Sequence, residues 1–206
     1  VALGTAGSMV ETVEKGTYQI KQAAGTGTIT AHMEPGWFGQ FFGTVQTWPK
    51  AQTFYFTKDS EEGGSGDQSF EVRFNQGSLC DISGTLRIIM PTSQAQAIAL
   101  ATTAGYKSYG DLESKLIMPT VRNALRLTAN LMSARESYSD KRNDFNSWAR
   151  DQIQNGLYET VDVVREVKDL VSGETVEKRF KEIKRDATGA PIYQANPLEG
   201  TGIVLS

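Results

Sequence analysis

Apolar and polar residues alternate at every second position through much of residues 13–90, then recur at every third or fourth position through residues 92–155. The first period belongs to strands and the second to helices. Between Val13 and Phe74 the apolar runs are short and punctuated by glycine: Gly16-Thr17-Tyr18-Gln19-Ile20, Gly27-Thr28-Ile29-Thr30-Ala31 and Gln52-Thr53-Phe54-Tyr55-Phe56. Pro35-Gly36 predicts a turn between two of them. Glu61-Glu62-Gly63-Gly64-Ser65-Gly66-Asp67 predicts a polar loop before a further strand at Phe70 to Phe74. That acidic loop lacks the alternating ligands of an EF-hand and reads as a hairpin connection. Leu79 to Met90 is the clearest strand, with Cys80, Ile82, Gly84, Leu86, Ile88 and Met90 on one face and Asp81, Ser83, Thr85 and Arg87 on the other.

Helical spacing begins after Pro91-Thr92. Ser93 and Gln96 have capping-box spacing, and the helix they open ends near Gly105. From Asp111 to Met132 the residues Leu112, Leu116, Val121, Leu125, Thr128 and Met132 form one stripe, which Pro119 is expected to kink or break. Ser133 and Glu136 form a second capping box. The helix that follows places Tyr138, Phe145, Trp148, Ala149 and Ile153 on one face, and Gly156 stops it. Alternation returns at Tyr158 to Val171, with a turn at Ser172-Gly173, a strand from Thr175 to Lys184, a turn at Thr188-Gly189 and a last strand around Ile203. These elements predict an α+β fold of two small subdomains. The first, mostly β, covers 8–78; the second, strands plus helices near 92–104, 111–132 and 134–155, covers 79–206.

Composition narrows the chemistry more than the fold. In 206 residues the chain is 39% hydrophobic and 22% charged with a net charge of -3, ordinary values for a globular protein. The densest charge, Ser133 to Asp186, is mixed in sign, so no nucleic-acid partner is expected. His32 is the only histidine and Cys80 the only cysteine, which excludes histidine-based triads, multi-histidine metal sites and an internal disulfide. No catalytic residue, cofactor or metal is expected. The small residues Val1 to Gly7 are far too few to span a bilayer, which needs about 20. The chain starts without methionine and stops in what reads as mid-strand. The expectation is a window from a longer protein, anchored by a segment upstream of Val1.

Taken in order, several segments resemble the stomatin, prohibitin and flotillin (SPFH, or band 7) family, with a prohibitin-like cast. They are Val10-Glu11-Thr12-Val13-Glu14-Lys15-Gly16, similar to the family's opening strand; Met33-Glu34-Pro35-Gly36, similar to its glutamate-proline-glycine turn; and the strand Ile82 to Met90. The longest is Leu116 to Gly156. There Leu116-Ile117-Met118-Pro119-Thr120-Val121-Arg122-Asn123 leads into Leu131-Met132-Ser133-Ala134-Arg135-Glu136 and Ser139-Asp140-Lys141-Arg142, with Glu136 and Arg142 matching the family's acid-capped turn followed by arginine. Ala24-Gly25-Thr26-Gly27 and the Glu61 to Asp67 loop depart from that pattern. The resemblance implies a non-enzymatic membrane scaffold with a coiled coil downstream, assembled into rings or cages that organise a membrane microdomain. Its implied partners are membrane lipids, copies of itself or a related SPFH subunit, and a membrane protease or other membrane protein.

Two groups of residues are candidate sites. Gly36-Trp37-Phe38-Gly39-Gln40-Phe41-Phe42-Gly43 concentrates four aromatics after a turn, and Trp37, Phe38, Phe41 and Phe42 read either as membrane contacts at the headgroup level or as subdomain core. Lys141, Arg142, Asp144, Arg150 and Asp151 flank the Phe145 stripe as exposed charges that would pair between copies, each pair contributing about 0 to 1 kcal/mol. Two other functions stay open: a soluble peptide- or ligand-binding module using the glycine-rich loops, and, ranked last, a hydrolase using carboxylates such as Asp81 and Glu34.

Overall fold

The structure is a computed structural model that describes residues 9–59, 61, 67–168 and 174–206. The expected loop at Glu61 to Asp67, the turn at Ser172-Gly173 and residues Val1 to Gly7 lie wholly or mainly outside the described residues. The fold is α+β. Among the described residues, twelve strands form five small sheets beside the helices. The chain divides into two compact units, residues 1–54, 86–118 and 198–206 in the first and 55–85 and 119–197 in the second.

In the first unit β1 (Val10–Val13) pairs antiparallel with β4 (Gly36–Gly39). β2 (Thr17–Gln22) lies between β3 (Ile29–His32) and β5 (Thr44–Pro49). β2 is buried on both faces: Tyr18 and Ile20 on one, Gln19 on the other, where its amide donates to the Thr12 carbonyl and Thr47 Oγ1, both at 3.2 Å. Alternation places Gln19 outside; the β1 backbone covers it instead. A third sheet has the order β12 (Val204–Leu205), β9 (Gly84–Ile89), β6 (Ala51–Phe56).

The helix α1 (Gln94–Thr102) starts at Ser93 as expected, but the Ser93 and Gln96 capping box does not form. Gln96 packs over Gly202 instead, with its Oε1 2.5 Å from where a Cβ on that glycine would stand. Further on, α2 (Tyr109–Leu112), a π-helical turn (Glu113–Ile117) and α3 (Met118–Asn130) follow without interruption. Pro119 therefore neither ends the helix nor splits it. The wide turn just before it, closed by the Met118 N–H to the Glu113 carbonyl, leaves room for the ring that a proline presses on the preceding turn. Every residue of the expected stripe, Leu112 through Met132, is buried.

The single strand expected from Leu79 to Met90 is two. β8 (Leu79–Ile82) pairs with β7 (Phe70–Arg73) in the second unit, and β9 belongs to the three-stranded sheet. The break falls where the Phe56 ring comes 2.8 Å from the Cβ position of Gly84, space that only glycine leaves open. Leu86, Ile88 and Met90 are buried as expected, whereas Cys80 is exposed.

In the second unit the box of Ser133 and Glu136 does form and opens α4 (Ala134–Tyr138). The helix expected to run on from it breaks at Ser139, and α5 (Arg142–Asn155) restarts with a new phase. That reset buries Phe145, Ala149 and Ile153 but leaves Tyr138 exposed, so Tyr138 does not belong to the stripe. Gly156 ends α5 with φ +108°, as its position predicts. A polar link joins α3 to α5 inside the core: Gln152 donates to Thr128 Oγ1 at 2.8 Å, and its own carbonyl accepts from the Tyr158 N–H at 3.2 Å. The long hairpin of β10 (Thr160–Lys168) and β11 (Thr175–Ile183) completes the unit.

Candidate functional site

The four aromatics sit on β4 and the turn after it. The antiparallel register puts Val10 opposite Gly39 and Thr12 opposite Trp37, so Val10 and Trp37 share one face of the β1–β4 ribbon. Glu11 opposite Phe38 and Val13 opposite Gly36 form the other face. The first face is open, with Trp37 80% and Val10 51% exposed; on the second, Val13 is buried and Phe38 is half-buried against His32, ring centroids 3.8 Å apart. Burial, and secondarily the Lys21 charge, lowers the His32 pKa from its ordinary value.

Immediately after β4 the chain turns at Gln40-Phe41-Phe42-Gly43. The Gly43 N–H donates to the Gln40 carbonyl at 3.0 Å and the Gln40 side chain donates to the Gly43 carbonyl at 2.8 Å. Both central residues have positive φ, 48° for Phe41 and 61° for Phe42. This is the pattern of a type I′ turn, which ordinarily takes Asn-Gly because a β-carbon is disfavoured there. The two phenylalanines are nevertheless 64% and 58% exposed. Gly43 cannot change, since a Cβ there would stand 2.5 Å from the Gln22 carbonyl oxygen. The Phe41 ring folds back on Gly39, and Lys21, bonded to the Gly39 carbonyl at 2.5 Å, places its ammonium 5.2 Å from the ring centre. The Met9 carbonyl accepts from the Gln40 and Phe41 N–H groups, which brings the exposed Met9 beside the turn. The structure thus gathers Trp37, Phe41, Phe42, Val10 and Met9. The last two escape sequence reading because only strand pairing, not spacing, brings them there.

The five charged candidates take different positions. Arg142, Asp144 and Arg150 are exposed on α5. Lys141 is half-buried and pairs with Glu136 at 2.6 Å; with the Ser133 main-chain N–H, it holds the Glu136 carboxyl well down, to about 2. Asp151 is half-buried rather than exposed, accepting from the Tyr158 hydroxyl, from Tyr193 at 2.8 Å and from Asn155 at 2.7 Å. Burial, then the bond to Asp151, pushes the Tyr193 pKa up to about 12 and that of Tyr158 higher still. Of the carboxylates considered for hydrolysis, Asp81 is bonded to Lys58, and Glu34 is exposed in the turn before β4 in the other unit.

The second unit also holds an open cleft of about 460 Å³ that sequence spacing does not reveal. Its lining draws on the β7–β8 turn at Asn75, on Glu136, Lys141 and Trp148, on β11, on Arg165 of β10 and on Arg185 just past β11. Among the described residues no group of three or more His, Cys, Asp or Glu is placed to hold a metal, and no helix is long and apolar enough to cross a membrane.

Fold and geometry together define an α+β protein with an exposed aromatic turn in one unit and a basic cleft in the other. A scan against family models finds no match to the chain, and a search among curated proteins finds none either.

Proposed function

We propose that the chain is a non-enzymatic component of a membrane-attached oligomeric scaffold, touching the lipid surface through Trp37, Phe41 and Phe42. One observation carries the reading: two consecutive phenylalanines occupy a turn that disfavours them and stand exposed beside an exposed tryptophan. Backbone strain of this kind persists only where the surroundings hold it, and it concentrates at working sites. Within the turn the Phe41 ring gains only its contact with Gly39 and Lys21 and most of both rings stays exposed, whereas a bilayer interface rewards the exposed part: full burial of such a side chain gains about 1.5–3 kcal/mol, and tryptophan favours the headgroup level. Lys21 beside Phe41 adds a charge suited to anionic headgroups. Arg142, Asp144 and Arg150 are then free to set register between copies, and the SPFH-like order of segments fits a ring or cage with lipids, like subunits and a membrane protein as partners.

Flotation of the chain with anionic vesicles tests the reading. Wild type is expected to float and Trp37→Ser, whose side chain touches little of the fold, to float markedly less. Equal flotation of the folded variant and wild type would remove the membrane contact. Particle size on vesicles, by cross-linking, tests assembly separately, with a monomer counting against the scaffold.

A further inference from the structure

The cleft of the second unit is bounded by four consecutive residues of β11, Phe180, Lys181, Glu182 and Ile183. Successive side chains of a strand point to opposite faces, so a cleft that meets four in a row reaches the strand's edge, while Arg165 of β10 lines it over one face. Among the described residues that edge has no strand beside it, because β10 and β11 form a two-stranded sheet. The direction of the main chain follows from the register. The Lys184 N–H donates to the Glu159 carbonyl on the β10 side at 2.8 Å, so the two-residue alternation turns Glu182 and Phe180 toward β10 as well. Arg179, Lys181 and Ile183 therefore direct their N–H and C=O groups away from β10, toward the free edge that the cleft reaches at Lys181 and Ile183.

Charge selects what lies there. Lys141, Arg165, Lys181 and Arg185 line the cleft against two carboxylates, Glu136 and Glu182, a local excess of positive charge in a chain whose net charge is -3. Both carboxylates are already engaged, Glu136 by Lys141 and Ser133 and Glu182 by Arg165, and Lys181 makes an exposed ion pair with Asp162 at 3.3 Å, weak enough for a peptide carboxylate to displace. Arg185 spends Nη1 on the Gly189 carbonyl at 2.8 Å, and a guanidinium has further donors in its fork. Trp148 and Phe180 supply apolar surface, and Asn75 keeps its Oδ1 buried without a partner. Lysines along an edge strand ordinarily deter pairing with strands of any kind; they repel a second cationic β11 and attract an acidic strand.

We propose that this cleft is a docking site for an extended acidic peptide segment of another protein, which adds to the free edge of β11 as a third strand. Main-chain hydrogen bonds to Lys181 and Ile183 supply the pairing, and carboxylates on alternate residues meet Arg185 and Lys181. This site is independent of the lipid-contact reading, since it lies wholly in the other unit.

The test uses the full chain and a fluorescein-labelled peptide of alternating glutamate and valine, followed by anisotropy. Two control peptides accompany it: the lysine–valine counterpart, and the same acidic sequence N-methylated at alternate amides so that it cannot pair. The acidic peptide is expected to bind, both controls to bind at least about tenfold more weakly, and the exposed double variant Lys181→Glu/Arg185→Glu to lose about tenfold or more. Absence of binding by the acidic peptide, or equal binding by its N-methylated form, overturns strand addition. Undiminished affinity of the folded double variant overturns the assignment to this cleft.

Discussion

Replacing Phe41 and Phe42 by the pair that a type I′ turn prefers, Phe41→Asn with Phe42→Gly, separates the two roles those residues play. An L-residue in the left-handed region costs about 1–2 kcal/mol, so the turn as it stands carries roughly 2–4 kcal/mol of strain. Against its relief stand two losses. The phenylalanines are 64% and 58% exposed, so their buried portions, at about 1.5–3 kcal/mol for a whole side chain, contribute roughly 1–2 kcal/mol together. Glycine adds about 0.5–1 kcal/mol of unfolded-state entropy. The terms nearly cancel, and urea unfolding should place the double variant within about 1 kcal/mol of wild type. The exposed portions are what a bilayer would cover, roughly 2–4 kcal/mol, so vesicle binding should weaken about twentyfold to several hundredfold. Sedimentation with anionic vesicles measures it. A folded double variant that binds vesicles as wild type does would refute the lipid role of the turn, and a loss of stability beyond about 3 kcal/mol would show that the pair is core.

Three further outcomes follow from the packing. Gly43→Ala should destabilise the first unit by about 1–3 kcal/mol in urea unfolding, since its Cβ meets the Gln22 carbonyl and neither backbone can yield easily. Gln152→Leu removes the acceptor of the Tyr158 N–H and the donor to Thr128 Oγ1, whose hydroxyl keeps its bond to the Ala124 carbonyl, in a fully buried place, and should cost about 1–3 kcal/mol in the same assay. The Glu136 pKa is depressed to about 2 in the folded chain, so its ionised form stabilises the fold above the ordinary carboxylate range and the contribution fades as pH falls from about 4.5 to about 2. Its carboxylate is about a third exposed, and after solvent screening Glu136→Gln should cost about 1 kcal/mol at pH 7. That difference from wild type should vanish near pH 2; a constant difference across the range would contradict the pairing with Lys141.

What the sequence determined by itself is what short-range chemistry decides. The α+β class, the strand runs within Gly16 to Ile20 and Gln52 to Phe56, the buried stripe from Leu112 to Met132, the box at Ser133 and the stop at Gly156 all rest on periods, caps and turn residues within a few positions of one another. The aromatic segment was legible for the same reason, as a local concentration of rings among glycines. Tertiary structure decided which partner each edge and face meets. An unbroken alternation from Leu79 to Met90 serves two sheets because the Phe56 ring arrives at Gly84 from far along the chain. Gln19 is buried because β1 crosses it, and Tyr138 is exposed because the helix rephases at Ser139. The Phe-Phe turn, the company of Met9 and Val10, and the free edge of β11 likewise follow from pairing between distant segments. Hydrophobic period is a property of neighbours, whereas register and coverage are set by whole elements competing for one another, and no local pattern records that outcome.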